Sequence, residues 1–259
     1  MGKTISKDGT VIGYDRTGRG DPVILIGGAL CDRQVHSGLA AFLAPHFTVF
    51  NYDRRGRGES GDAPPYAVRR EIEDIAALIA EAGGSAALYG ISSGGALALE
   101  ATAAGLPVTR VAAYEPPYLT AAADLEANTR TTDPVPGLIR EGRAEEALEH
   151  FLRATGMPRE AVAEMRTTPA WPALVAVAPT LVQDFAVMGD GSVPVERFAG
   201  IRVPAMLLDG SAGMAFMHDA ALAVAAAIEG ARNVTLADQT HEVSVDALGP
   251  VLIEFFAEP

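Results

Sequence analysis

The chain has 259 residues, of which 49% are hydrophobic and 20% charged, enough apolar material for a packed core without covalent staples. Its formal net charge of −13 repels phosphate backbones and anionic lipid, so neither nucleic acid nor a membrane surface is expected as a partner. The one cysteine, Cys31, permits no internal disulfide; Met1 to Gly20 hold no signal-like apolar run, and no stretch approaches the roughly 20 apolar residues that span a bilayer, so a soluble, cytoplasmic protein is expected.

The leading segments, Thr4-Ile5 and Val11-Ile12-Gly13-Tyr14, flank Asp8-Gly9 and predict a hairpin. Val23-Ile24-Leu25-Ile26, Thr48-Val49-Phe50 and Ala86-Ala87-Leu88-Tyr89 are continuous apolar runs, the pattern of strands covered on both faces. Between the second and third of these, Arg69 to Ala82 places Ile72, Ile75 and Ile79 on one helical stripe and stops at Gly83-Gly84. Gly94 to Ala104 is apolar nearly all round, as in a helix buried behind a central strand.

Val111 to Tyr114, Ala205 to Leu208 and Val234 to Leu236 add three strands, and a last helix is predicted from an N-cap at Asp246, with Leu248, Val251, Leu252 and Phe255 on one face. This alternation predicts a single α/β domain over residues 1–259, built on a doubly wound, mostly parallel sheet. Residues 118–200 break the alternation. They show helical pieces only, clearest from Gly142 to Thr155, and predict a helical lid inserted between two strands.

Gly90-Ile91-Ser92-Ser93-Gly94 follows a predicted strand and opens a predicted helix, the context of a nucleophile elbow. The turn is so tight that side chains two positions either side of Ser92 would strike backbone, hence the glycines. The strain lifts the hydroxyl clear of the sheet, and the helix N-terminus favours developing negative charge. An ordinary glycine-rich turn is the bland alternative.

With these residues the chain resembles the α/β-hydrolase superfamily along nearly its whole length. Val23-Ile24-Leu25-Ile26-Gly27-Gly28-Ala29 is similar to the family's strand and oxyanion loop, with Gly27 where a histidine is usual. The resemblance implies that the backbone N–H groups of Ala29 and Ser93 form the oxyanion hole, with Gly28 beside the substrate. Asp53-Arg54-Arg55-Gly56-Arg57-Gly58-Glu59-Ser60 resembles the family's Asp-x-Arg-Gly-x-Gly-x-Ser turn and is read as structural. His241, after the last strand, stands in the place of the general base that a serine nucleophile needs. Of the other four histidines, His36 lies near the oxyanion loop and is read as a solvated loop residue.

The triad's acid departs from the commonest pattern. After Leu207-Leu208-Asp209-Gly210-Ser211-Ala212, Gly213 occupies the usual acid position. Two carboxylates remain, Asp209 and Glu115, the latter in Tyr114-Glu115-Pro116-Pro117 after the strand that follows the nucleophile helix. The zearalenone-type lactonases and some haloalkane dehalogenases resemble this second arrangement, which places Glu115 ahead of Asp209. Serine at the elbow, rather than aspartate, argues against dehalogenase and epoxide hydrolase chemistry.

The implied function is a serine hydrolase that cleaves a carboxylic ester or lactone of a small, largely apolar molecule, with no cofactor and no metal. C–C or thioester hydrolysis on the same triad, or a ligand-binding pseudo-enzyme on the same fold, stand as alternatives. Trp171, Phe151, Phe185, Met157, Met165 and Met188 fall in the lid and are candidate pocket residues, with Trp171 foremost; apolar residues at helical spacing are more often lid core. Oligomeric state is not encoded in any of these signals.

Overall fold

The computed structural model describes residues 1–258, apart from the side chains of residues 129 and 130. Eight strands form one sheet: β1 (Gly2–Ile5), β2 (Val11–Gly18), β3 (Pro22–Ile26), β4 (Thr48–Tyr52), β5 (Ala86–Ile91), β6 (Val108–Tyr114), β7 (Ala205–Gly210) and β8 (Arg232–Leu236), in the order β1-β2-β4-β3-β5-β6-β7-β8. β1 and β2 form the leading hairpin, β2 pairs antiparallel with β4, and every later pairing is parallel.

The continuous apolar runs follow from burial on both faces. Helices α2 (Val68–Glu81), α3 (Ser93–Ala103) and α11 (Ala215–Ala227) cover one face, where Ile75, Leu97, Leu99 and Val224 meet Ile24, Phe50 and Leu88. Helices α1 (Ser37–Leu43) and α12 (Val245–Ala257) cover the other, where Leu39, Leu43, Leu252 and Phe255 meet Val23, Leu25, Val49 and Tyr89. Strand order reverses between β3 and β5, so their carboxyl ends frame the crevice where ligands bind in open α/β sheets.

Between β6 and β7 the described residues form seven α-helices: α4 (Ala122–Thr132), α5 (Pro134–Arg140), α6 (Ala144–Ala154), α7 (Arg159–Met165), α8 (Trp171–Val177), α9 (Leu181–Met188) and α10 (Val195–Phe198). They have an apolar cluster of their own, with Val135, Leu148, Trp171 and Leu181 buried; Ala29 and Leu30 from the loop after β3 pack against it.

Three details depart from the sequence reading. Ser244, not Asp246, caps α12, its hydroxyl accepting the Ala247 N–H at 3.3 Å, and Asp246 falls in the first turn. Helix α1 went unpredicted because its seven residues are shorter than the window of about 11 or more over which helical periodicity can be read. Residues Trp171–Met188 form an 18-residue apolar helical run that comes near membrane-spanning length. A 3-10 turn at Ala178–Thr180 divides it, and Asp184 within it is bonded inward.

Candidate active site

Ser92 stands between β5 and α3 with φ 56° and ψ −130°, a region that L-residues rarely adopt. A Cβ at Gly90 would strike the Gly94 carbonyl, and one at Gly94 would strike the carbonyls of Ile26 and Gly27, so the turn tolerates only glycine at both places. The Ser92 N–H donates to Tyr114 O at 2.9 Å, fixing the elbow to the end of β6. Among the described residues four non-glycine residues have positive φ: Leu30, Ser92, Glu115 and Asp238. They sit in the loops after β3, β5, β6 and β8, all at the carboxyl edge of the sheet. Backbone strain gathered at one edge makes that edge the candidate site.

Glu115, wholly buried, directly follows β6. Its Oε2 lies 2.7 Å from His241 Nδ1 and its Oε1 accepts the Gly210 N–H at 3.0 Å. A carboxylate on Nδ1 makes that nitrogen the donor and leaves Nε2 with its lone pair. The His241 loop is pinned from two sides: Tyr114 Oη donates to Thr240 O at 2.6 Å, and the Ala212 N–H donates to Gln239 O at 2.9 Å. The imidazole itself is partly exposed. Gly213 adjoins this carboxylate, since a Cβ there would stand 2.9 Å from Glu115 Oε1.

Asp209, the other candidate, is buried and already engaged elsewhere. It accepts from His218 Nδ1 at 2.8 Å and from Asn233 and Thr235 at 3.2 Å each. The structure therefore brings His241 to Glu115 and gives Asp209 a different histidine.

Across the crevice, Gly28 lies against the serine: a Cβ on it would stand 3.1 Å from Ser92 Cβ and 3.7 Å from Ser92 Oγ. The next residue, Ala29, is half-buried against the insertion's apolar cluster. Ser93 opens α3, so its N–H is among those that lack an acceptor within the helix. Trp171 is buried in the insertion, and its indole N–H donates to Glu145 Oε1 at 2.8 Å. Phe151, Phe185, Met157 and Met165 line the same cluster, whereas Met188 packs against the main core.

The reading of His36 as solvated is corrected. It is buried, its ring edge-on to Tyr89 at 5.6 Å, and burial pushes its pKa down to about 4. The loop after β3 folds back so that the 3-10 turn Arg33–His36 lies against the sheet, a closure no local sequence signal announces.

The turn after β4 also holds more than the sequence reading gave it. Asp53 is the structural anchor expected, accepting from the Arg33 and Glu59 N–H groups at 2.7 and 2.8 Å. Arg54 and Arg57, both buried, reach further. Arg54 pairs with both oxygens of Glu71 at 2.7 Å and with Asp184 Oδ1 at 2.7 Å, and Arg57 bonds Gly28 O at 2.6 Å and Asp184 Oδ2 at 2.8 Å. Ser93 Oγ donates to Asp184 Oδ1 at 2.8 Å. Burial alone would raise the Asp184 carboxyl, but the Arg57 and Arg54 guanidiniums outweigh it and hold it below the usual range. The unusual density of arginine in this turn was the available signal; the partner, Asp184, lies too far along the chain for spacing to reveal.

No three His, Cys, Asp or Glu side chains gather among the described residues in a set able to hold a metal ion. What the arrangement offers is a strained serine at a helix N-terminus, and a histidine oriented by a buried carboxylate.

Residues 23–250 match the model of the alpha/beta hydrolase family. An alpha/beta hydrolase from Sphaerobacter thermophilus is 48% identical, with a TM-score of 0.89 over 99% of this chain and 100% of that one. An enol-lactonase from Burkholderia xenovorans is 23% identical, TM-score 0.77, over 99% and 100% of the two chains. An esterase from a Rhodococcus species is 21% identical, TM-score 0.71, over 99% and 98%. Sheet order, elbow and family match agree, and the chain belongs to the α/β-hydrolase family.

Proposed function

We propose that this hydrolase cleaves a carboxylic ester or lactone of a small, largely apolar molecule through an acyl-enzyme on Ser92, without a cofactor. The observation that carries the reading is the 2.7 Å contact between His241 Nδ1 and the buried Glu115 carboxylate, at the same sheet edge as the strained serine. Ser92 Oγ attacks the carbonyl carbon while its proton passes to His241 Nε2, and Glu115 stabilises the imidazolium that forms. The N–H groups of Ala29 and Ser93 receive the oxyanion. His241 returns the proton to the departing alkoxide, the acyl group stays on Ser92, and a water activated by the same histidine then releases the acid.

The helical insertion is assigned the role of lid. Half-buried Phe151, Leu174, Val175 and Phe185 share its cluster with Ala29 and Leu30, which supports an apolar lining next to the oxyanion loop, with Trp171 packed behind it. Esterase and lactonase activities among the structural relatives fit this chemistry, and a lone thiol fits a reducing compartment.

The test is hydrolysis of aryl esters, aliphatic esters, small lactones and macrolactones by the wild type beside Ser92→Ala, with fluorophosphonate labelling of Ser92. The wild type should turn over at least one class and be labelled. Ser92→Ala and His241→Ala should each lose nearly all turnover while remaining folded, since in the best-studied serine protease either loss costs about a millionfold. A folded Ser92→Ala as active as the wild type would overturn the assignment.

A further inference from the structure

The buried cluster below the loop after β3 joins three parts of the fold that the sequence keeps far apart. Arg54 and Arg57 come from the turn after β4, Glu71 from α2, and Asp184 from α9 of the insertion. Two guanidiniums face two carboxylates, so the cluster is neutral as a unit, and each charge is paired by direct hydrogen bonds. Arg54 and Arg57 occupy two of the three variable positions of the turn motif, so the motif's own architecture does not account for them.

The cluster also grips the oxyanion loop by its carbonyls. Arg57 donates to Gly28 O at 2.6 Å and Arg54 to Gly27 O at 3.3 Å. A trans peptide carries its C=O and N–H on opposite sides. Drawing Gly28 O onto Arg57 therefore turns the Ala29 N–H to the face away from the guanidinium. A charged donor on the carbonyl also polarises the peptide and makes that N–H the stronger donor. Asp184 holds the other end of Arg57 and, through Ser93 Oγ, the first residue of α3, whose N–H is the second donor assigned to the hole.

We infer that Arg57, clamped by Asp184 of the insertion, is a positioning residue for the oxyanion hole: it sets the orientation and donor strength of the Ala29 N–H only when the insertion is seated. The inference rests on the serine-hydrolase reading. Neither side chain touches substrate; both act through backbone that does. The consequence is a mechanical tie between lid and hole, because withdrawing α9 would remove Asp184 and free the guanidinium from its aim.

The test compares Asp184→Asn and Arg57→Lys with the wild type on one activated ester, together with inhibition by a trifluoromethyl ketone, whose serine adduct carries an oxyanion. Removing an oxyanion donor outright costs about 100- to 1,000-fold in kcat. Misaiming one is expected to cost about 10- to 100-fold, with KM within about threefold and ketone affinity falling by the same factor as kcat. Lysine keeps the charge but reaches one partner rather than two, so Arg57→Lys should fall between wild type and Asp184→Asn. Urea unfolding of each variant separates this from packing. Lower stability with kcat and ketone affinity as in the wild type would overturn the positioning role, as would a rise in KM alone. If Asp184→Asn does not fold, Arg57→Lys decides by the same two readouts. If the wild type neither hydrolyses ester nor binds the ketone, the serine-hydrolase reading falls and this inference with it; if it does both and the variants match it, only the positioning role falls.

Discussion

The carboxylate of Glu115 fills the space that a side chain at Gly213 would need, its Oε1 lying 2.9 Å from where that Cβ would stand. With Glu115 as the proposed acid, the two departures from the commonest triad pattern are one departure. A glycine in the usual acid position opens the room, and a glutamate from the neighbouring strand reaches across the end of β7 to use it, resting on the Gly210 N–H. Gly213→Ala is accordingly expected to push the carboxylate off His241. Turnover should fall about tenfold or more with little change in KM, because a small displacement of a catalytic group is costly. Steady-state kinetics on one activated ester check this, and unchanged kcat would show that the loop yields instead.

Glu115→Gln should leave the fold intact and cut turnover severely. An amide neither fixes the imidazole tautomer nor stabilises its cation, and the corresponding change in a serine protease costs about ten-thousandfold. Asp209→Asn should act on stability instead. Its carboxylate is a buried acceptor for His218, Asn233 and Thr235, and disturbing such a group costs about 1–3 kcal/mol. Urea unfolding and turnover of the two variants, measured side by side, should show opposite patterns. Loss of turnover confined to Asp209→Asn would return the acid to β7.

Much of this was legible in the sequence because it is local. The strand runs, the all-apolar α3 and the glycines around Ser92 each follow from neighbours a few residues away. The pairing of Glu115 with His241 was half legible: a glycine at 213 emptied the usual acid position and left Glu115 and Asp209 as candidates, but which of them faces His241 only the folded sheet shows. What stayed hidden depends on distant partners. Arg57 and Asp184 meet only once the insertion is seated, and His36 is buried only because its loop folds back on β5. A histidine in a polar loop and an arginine in a charged turn look solvated until tertiary contacts decide.

Trp171 is expected to matter first for the insertion's cohesion. The ring is 5% exposed within the cluster of Val135, Leu148 and Leu181, and its indole N–H is satisfied by Glu145. Trp171→Ala should cost about 3–5 kcal/mol in that cluster. Trp171→Phe, which loses the hydrogen bond but keeps most of the ring, should cost far less. If the cluster sets the size of the apolar lining, Trp171→Ala should also flatten discrimination between short and long acyl esters, and Trp171→Phe should preserve it. Thermal unfolding and a chain-length series on both variants read the two effects separately.

His36 makes stability depend on pH in a direction that follows from its burial. The imidazole has a pKa of 6.5 when free and about 4 in the fold, where burial disfavours the cation. Between those values the unfolded chain binds a proton that the folded chain does not, so stability rises with pH across the window. The contribution is whole above 6.5 and is lost as the pH falls toward 4. From neutral pH to about pH 5, this one group should remove about 2 kcal/mol, at 1.36 kcal/mol per pKa unit of difference. His36→Phe keeps a ring against Tyr89 and has nothing to titrate. Its stability should change less between the two pH values by that same amount. Urea unfolding of wild type and variant at both pH values measures the difference directly. An equal loss in both proteins would place the acid sensitivity elsewhere and show His36 to be protonated in the fold.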